Sequence, residues 1–300
     1  MPEALASDPR AEVEARLVAL RPALHRYAAR MVGSALDGED VVQDAILRAV
    51  AALDRAPPLG EADPWLFRIV HNAAIDWRRS RQRQPAAREL EESDMVSAPD
   101  EAARRIATRA ALTAFLLLPA AQRGAVILRD VLGYSASETA AILDTSVAAI
   151  KAALHRGRAR LREVAEANGE DFDDEAAPVA TTDLARLQHY ADRFNARDFD
   201  AIRAMLAEDV RFDLVARMQG GRASFENYFS RYGAMEQWRL DVGRVDGHPA
   251  LIVTRGDAPA VPANIVAIRW QGDRIARLRD FHHAPYVLDG AAIEFARRGH

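Results

Sequence analysis

Between Glu163 and Glu175 the chain carries seven acidic residues and no basic one. A run of that kind repels itself and stays hydrated, so it reads as a solvated linker. It divides the 300 residues into two stretches of different texture. Before it, apolar residues recur at steps of three and four. After it, helical patterning gives way to short alternating runs rich in β-branched and aromatic residues. The fold must therefore join an all-helical part to a part that holds a sheet.

The first part opens with Leu17, Leu20, Leu24, Tyr27 and Met31 on one helix face. Asp37-Gly-Glu-Asp40 reads as the start of a second helix, with an apolar stripe through Val42, Ala45, Ile46, Ala49 and Leu53. Residues 55–63 contain Pro57-Pro58 and Gly60 and form a loop. Asp63 before Pro64 predicts an N-cap carboxylate followed by proline at the first helical position. That third helix begins with Trp65, Leu66, Phe67, Ile69 and Val70 and ends with Arg78, Arg79, Arg81 and Arg83. The polar stretch 85–103 holds two prolines and reads as a linker.

A second helical block spans 104–165. Within it Ser135 and Glu138 fit a capping box, Ala136–Leu143 forms a short helix, and Asp144-Thr145-Ser146 makes a turn whose Thr145 or Ser146 caps the next helix. There Val147, Ile150, Leu154 and Leu161 occupy one face. Lys151, His155, Arg158 and Arg162 occupy another, offset by one residue or about 100°. A surface helix with a solvated basic face shows the same stripe. The short first helix, the tight turn and the absence of acid from 151–162 favour a helix-turn-helix that sets its second helix in a major groove. In the helix at 64–83, Arg68, His71, Asn72 and Trp77 stud the middle, a mixture suited to single-stranded DNA, while Trp65 and Phe67 suit a core.

The net charge is −4, and Lys151 is the only lysine, so positive charge is carried by arginine, whose planar fork suits phosphate and base edges. The chain has no cysteine, which excludes disulfides, thiolate metal sites and cysteine nucleophiles. No apolar run approaches the ~20 residues that span a bilayer, and MPEALASDPR lacks the features of a secretory signal. The expectation is a cytoplasmic protein without membrane contact, metal or cofactor.

Residues 12–163 resemble the extracytoplasmic-function sigma factors of the sigma-70 family. "DGEDVVQDAILRAV" (37–50) is similar to the segment that docks on the β′ clamp helices of bacterial core RNA polymerase. "PWLFRIVHNAAIDWRRSRQR" (64–83) resembles the segment that melts and reads the −10 element, and 118–163 resembles the domain that reads the −35 element. The resemblance implies two all-α sigma domains, at 10–84 and 104–165, contacting the polymerase β′ and β subunits and promoter DNA. By the same implication Asp40, Gln43 and Asp44 face polymerase, and the loop at 56–62 approaches a flipped base. Arg68, Asn72, Arg78 and Arg79 hold the melted strand, and Ser146, Lys151, His155, Arg156 and Arg158 serve the −35 duplex. Val50 stands where the family often has an aromatic, and Ala148-Ala149 where it often has glycine-threonine, so the family's promoter sequence is not carried over to this chain. The acidic segment at 163–175, within and before the linker placed at 166–180, is expected to dampen DNA binding by the basic helix beside it.

After residue 181, helices precede two hairpin signals, "DG" at 246–247 and "QGD" at 271–273, so residues 181–300 read as α+β. "YADRFNARDFDAIRAMLAEDVRFDL" (190–214) resembles SnoaL-like domains of the nuclear-transport-factor superfamily, which fold as a cone around a pocket. Tyr190, Phe194, Asp213 and His282 are the expected lining of a possible small-molecule pocket. Asp213, His248, Asp280, His282 and His283 are the candidate bases if the domain were an enzyme. In a strand, His282 and His283 would point to opposite faces, against joint metal binding. The favoured expectation is a pocket filled by its own side chains in a domain that regulates the sigma core by intramolecular contact. A ligand-sensing helix-turn-helix regulator and a SnoaL-like enzyme fused to a DNA-binding module are the alternatives; the segments at 37–50 and 64–83 separate the first reading from a simple regulator.

Overall fold

The computed structural model describes residues 9–53, 62–81, 106–108, 110–167, 181–235, 237–256 and 261–296. The linker expected at 85–103, most of that at 166–180 and nearly all of the loop at 56–62 lie outside the described residues. The chain forms two compact units, Met1–Asp173 and Asp174–His300.

Unit 1 is helical. Helix α1 (Pro9–Val32) turns at Gly33, whose φ of +82° suits glycine, and Ser34 caps α2 (Ala35–Ala51) by accepting from the Asp37 amide. The helix thus starts two residues before the acidic cluster that marked it in sequence. Gly38 lets the two helices touch: a Cβ there would sit 2.6 Å from the Ala29 Cα. Helix α3 (Ala62–Arg81) begins one residue before Asp63, and Asp63 is engaged in an ion pair with Arg16 of α1. Tertiary pairing has taken the carboxylate that sequence assigned to the cap.

A 3-10 turn (Leu112–Leu117) leads to α4 (Ala120–Val126), which runs on through a π turn (Ile127–Val131). Helices α5 (Ala136–Leu143) and α6 (Val147–Ala167) follow. The two helical blocks, separated in sequence by the polar stretch, share one hydrophobic core. Leu24, Tyr27, Met31, Phe67 and Val70 from the first pack with Phe115, Leu118, Val126, Ile127 and Ile150 from the second. Arg123 joins them with its buried guanidinium. It donates to the carbonyls of Phe115 (2.7 Å), Leu116 (3.2 Å) and Leu118 (2.7 Å) and to that of Met31 (2.6 Å), at the end of α1.

Unit 2 packs α7 (Thr181–Asn195), α8 (Phe199–Met205) and α9 (Ser224–Gly233) with a seven-stranded sheet in the order β2-β1-β6-β5-β4-β3-β7. The strands are β1 (Leu206–Leu214), β2 (Met218–Gly220), β3 (Trp238–Val245), β4 (His248–Arg255), β5 (Pro262–Gln271), β6 (Arg274–Asp280) and β7 (Ile293–Phe295). Asp246-Gly247 turns the β3–β4 hairpin with both residues at positive φ, the type I′ pattern. The sheet is antiparallel except where β1 pairs with β6 in parallel, a crossover that the hairpin signals do not announce. Phe212, Leu240, Val242, Leu251, Val253, Val266 and Leu278 form the core with the aromatic residues of α7 and α9.

Candidate nucleic-acid interface

The turn between α5 and α6 has the expected construction. Ser135 accepts from the Glu138 amide and Glu138 accepts from the Ser135 amide (2.7 Å), closing the capping box. That reciprocal bond holds the exposed Glu138 carboxyl below its usual range. Asp144 ends α5 in the left-handed conformation, and the Ser146 hydroxyl accepts from the Ala149 amide, so Ser146 caps α6. Ile150, Leu154 and Leu161 are buried as their spacing predicts, but Val147 is exposed. Gly157 brings α6 against α4: a Cβ there would lie 2.7 Å from Val126.

The polar stripe of α6 divides in two. Lys151 and Arg156 are exposed beside Ser146, Ala148 and Ala149, and His155 is half-buried. Arg158 is placed otherwise. Its guanidinium grips the Asp130 carboxylate of the π turn with bonds of 2.9 and 2.6 Å, and the Asp130 side chain is 0% exposed. Arg158 thus serves the packing of α6 onto the preceding helix and does not stand with Lys151 as a free phosphate contact.

On α3, Arg68, Asn72, Asp76 and Arg79 are exposed at steps of four, four and three, so they form one stripe. Arg78 stands half-buried beside it, its guanidinium pKa pulled down by desolvation. Within the stripe Asp76 pairs with Arg48 of α2 (3.0 Å), and Arg68 donates to the Ala141 carbonyl near the end of α5. On α2, Asp44 is exposed and paired with Arg48 (2.8 Å), while Asp40 and Gln43 are partly exposed. Leu47, 64% exposed, extends this surface with an apolar side chain that the sequence reading passed over.

Of the four residues expected to line a pocket in unit 2, Tyr190 and Phe194 stack on each other, with ring centroids 6.4 Å apart, and the other two stand elsewhere. Tyr190 and Phe194 are fully buried in the core. Asp213 lies between the core residues Phe212 and Leu214, on the opposite face of the sheet, where it pairs with Arg277 (3.1 Å). His282 follows β6 in a turn, exposed, with its ring 4.9 Å from that of His283. The two imidazoles therefore pack together and do not diverge as strand neighbours would. Rings pack through the interior: Phe194 meets Phe199 and Tyr232, and Phe212, Phe225, Tyr228 and Phe229 pack on one another.

Among these rings Asp280 is fully buried. It accepts from the Tyr232 hydroxyl (2.8 Å), the Asn264 amide group (2.7 Å) and the His282 backbone (2.8 Å). Burial raises its carboxyl pKa, and these bonds only partly offset that. Among the described residues nothing bonds the Tyr190 hydroxyl or Asn264 Oδ1.

Sequence reasoning missed three groups of unit 1. Arg123 gave no sign that its charge is buried. His71, placed by sequence among polar residues, bonds the Tyr27 hydroxyl (2.7 Å), and burial lowers its pKa to about 4. Asp130 carried the one available signal, as the lone acid between Leu118 and Ser137.

The chain matches the Sigma-70 region 2 family over residues 17–84, the Sigma-70 region 4 family over 108–161 and the SnoaL-like domain family over 187–293. It is 36% identical over 156 residues to the RNA polymerase sigma-E factor of Streptomyces coelicolor, covering 51% of this chain and 85% of that protein. It is 28% identical over 235 residues to the ECF RNA polymerase sigma factor SigG of Mycobacterium tuberculosis, covering 70% of this chain and 63% of that one. Among solved structures, the Mycobacterium tuberculosis extracytoplasmic function sigma factor SigJ aligns at 21% identity with a TM-score of 0.35, over 89% of this chain and 95% of that one. The chain belongs to the extracytoplasmic-function RNA polymerase sigma factors, with a SnoaL-like domain following its two sigma regions.

Proposed function

We propose that this chain is a promoter-directing subunit of bacterial RNA polymerase whose output is modulated by its own C-terminal domain, and that it works in the cytoplasm. The observation that carries the reading is the presentation of two differently built polar helix faces on one helical unit. The α3 stripe offers Arg68, Asn72 and Arg79 for a melted strand, with Arg78 at its margin. The start of α6 offers Ser146, Lys151, His155 and Arg156 to a duplex. A regulator that only reads duplex DNA has no need of the first. Asp40, Gln43 and Asp44 on α2 form the face for the β′ clamp helices. The segments 10–84 and 104–165 act as the two promoter-reading parts, and 181–300 as the regulatory part.

The reading assigns no catalysis to unit 2 and no small-molecule substrate. Its candidate base Asp280 is enclosed by bonded side chains, and its interior is occupied by its own rings. The decisive test is transcription by purified core polymerase from a cognate promoter. Initiation that depends on this chain supports the proposal, and failure to bind core polymerase refutes it. Deleting residues 176–300 is expected to change the level of transcription; equal output from full-length and shortened chains refutes the regulatory part.

A further inference from the structure

The pairing of β1, β6 and β5 places three arginines side by side. Arg211 pairs with Arg277 in the parallel ladder, and Arg277 pairs with Arg269 in the antiparallel one. Directly paired residues share a face. Their sequence neighbours Phe212, Leu278 and Ile268 belong to or pack on the core, so the arginines occupy the opposite face. Arg211 and Arg269 are exposed, and neither side chain has an ion pair or hydrogen bond among the described residues. The carboxylate of Asp213 stands in the next row, 3.1 Å from Arg277 and 3.7 Å from Arg279, so two arginines share it. Asp209, two residues before Arg211, is the other acid of that face on β1.

Like charges directly opposite each other weaken a sheet. Several other arginines of this unit face an acidic partner, as in Arg186–Asp273, Arg193–Asp198 and Arg203–Asp200. The row lacks that alternation, so an anion from outside would relieve it. Adjacent strands lie about 4.8 Å apart, which makes the row about 10 Å wide. A duplex carries a phosphate per ~3.4 Å of axis on each strand, so a row of that width faces more than one phosphate. Guanidinium forks bind phosphate oxygens in pairs. Among the paired positions of this face, the row's neighbours Ala267 and Asp213 offer no apolar anchor for a protein partner.

We propose that this face of unit 2 binds the phosphate backbone of duplex DNA without reading its sequence, giving the C-terminal domain a DNA contact of its own, separate from α3 and α6. The test uses the full chain and a fluorescent random-sequence duplex, with affinity measured by anisotropy across a salt series. Arg211→Gln with Arg269→Gln removes the two exposed arginines without breaking any recorded contact. The affinity at low salt is expected to fall about tenfold and the slope of log K on log salt to lose about two units, one per phosphate contact. Arg211→Lys with Arg269→Lys keeps the charge and is expected to keep most of the slope.

No binding of this duplex by the wild-type chain at low salt overturns the proposal, as does an unchanged slope in the glutamine variant. Polyglutamate provides the other arm. If the glutamine variant loses affinity for polyglutamate while its DNA binding is unchanged, the face serves an acidic protein and the proposal fails. Promoter selectivity is read separately with Lys151→Gln and Arg156→Gln, so failure here leaves the sigma-factor reading intact, and the reverse also holds.

Discussion

Replacing Arg123 by methionine tests whether the two helical blocks of unit 1 stand as one body. Methionine keeps much of the buried stem and removes the donors. Four carbonyls lose a partner. That of Phe115 retains the Leu118 amide (3.1 Å), which leaves those of Met31, Leu116 and Leu118 without the recorded donor. Each buried acceptor stranded in this way costs about 1–3 kcal/mol. Relief of guanidinium desolvation returns part of that, so the net loss is about 3 kcal/mol, the low end for breaking a buried charged cluster. Hydrogen–deuterium exchange resolved by peptide is the assay. A loss of about 3 kcal/mol speeds globally exchanging amides roughly a hundredfold. Because Arg123 ties Met31 of the first block to the second, peptides from 17–53 and from 118–163 should both lose protection. A change below about 1 kcal/mol, or deprotection of 118–163 alone, refutes the reasoning.

Arg158→Ala should act on stability, costing about 3 kcal/mol by stranding the buried Asp130 carboxylate. Lys151→Ala and Arg156→Ala should leave the denaturation midpoint unchanged and weaken binding to a −35 duplex; an Arg158 variant that binds worse but unfolds normally contradicts this. In unit 2, Tyr190→Phe removes a hydroxyl with no partner among the described residues and should leave stability unchanged or raise it by up to about 1 kcal/mol. Tyr232→Phe takes a donor from buried Asp280 and should cost about 1–3 kcal/mol; equal urea midpoints for the two variants refute the assignment. Burial lowers His25 to about 4 from an ordinary 6.5, and the neutral ring donates to the Ala35 carbonyl. Between those values the unfolded chain takes a proton that the folded chain refuses. This contribution to stability, about 3 kcal/mol, is therefore present above pH 6.5 and lost as pH falls toward 4. His71 acts in the same direction. A urea midpoint that is flat from pH 7.5 to pH 5 contradicts this.

What could be read from sequence was whatever depends on near neighbours. The capping box at Ser135, the stripe of Leu17 to Met31 and the Asp246-Gly247 turn are each decided within a few residues, and each is where its spacing puts it. Readings failed where a distant partner intervened. Asp63 is engaged by Arg16, 47 residues away, and Arg158 by Asp130, 28 away. Asp213 was grouped with Tyr190 on chemistry alone, although residue parity within β1 puts it across the sheet from the core. The shared core of the two helical blocks was hidden for the same reason, since Arg123 and Met31 are 92 residues apart.

The parallel pairing of β1 with β6 also bears on how unit 2 comes into being. Phe212 of β1 meets Leu278 of β6, 66 residues on, so the edge of β1 away from β2 waits that long for its neighbour. The hairpins β3–β4 and β5–β6 can close early, because their turns are short. The ladder between β1 and β6 cannot, and loop closure over that distance slows folding. During synthesis the edge of β1 away from β2 therefore stays unpaired until residues 274–280 have left the ribosome. Within unit 1 the wait is longer still, since the Met31 carbonyl meets Arg123 only 92 residues later.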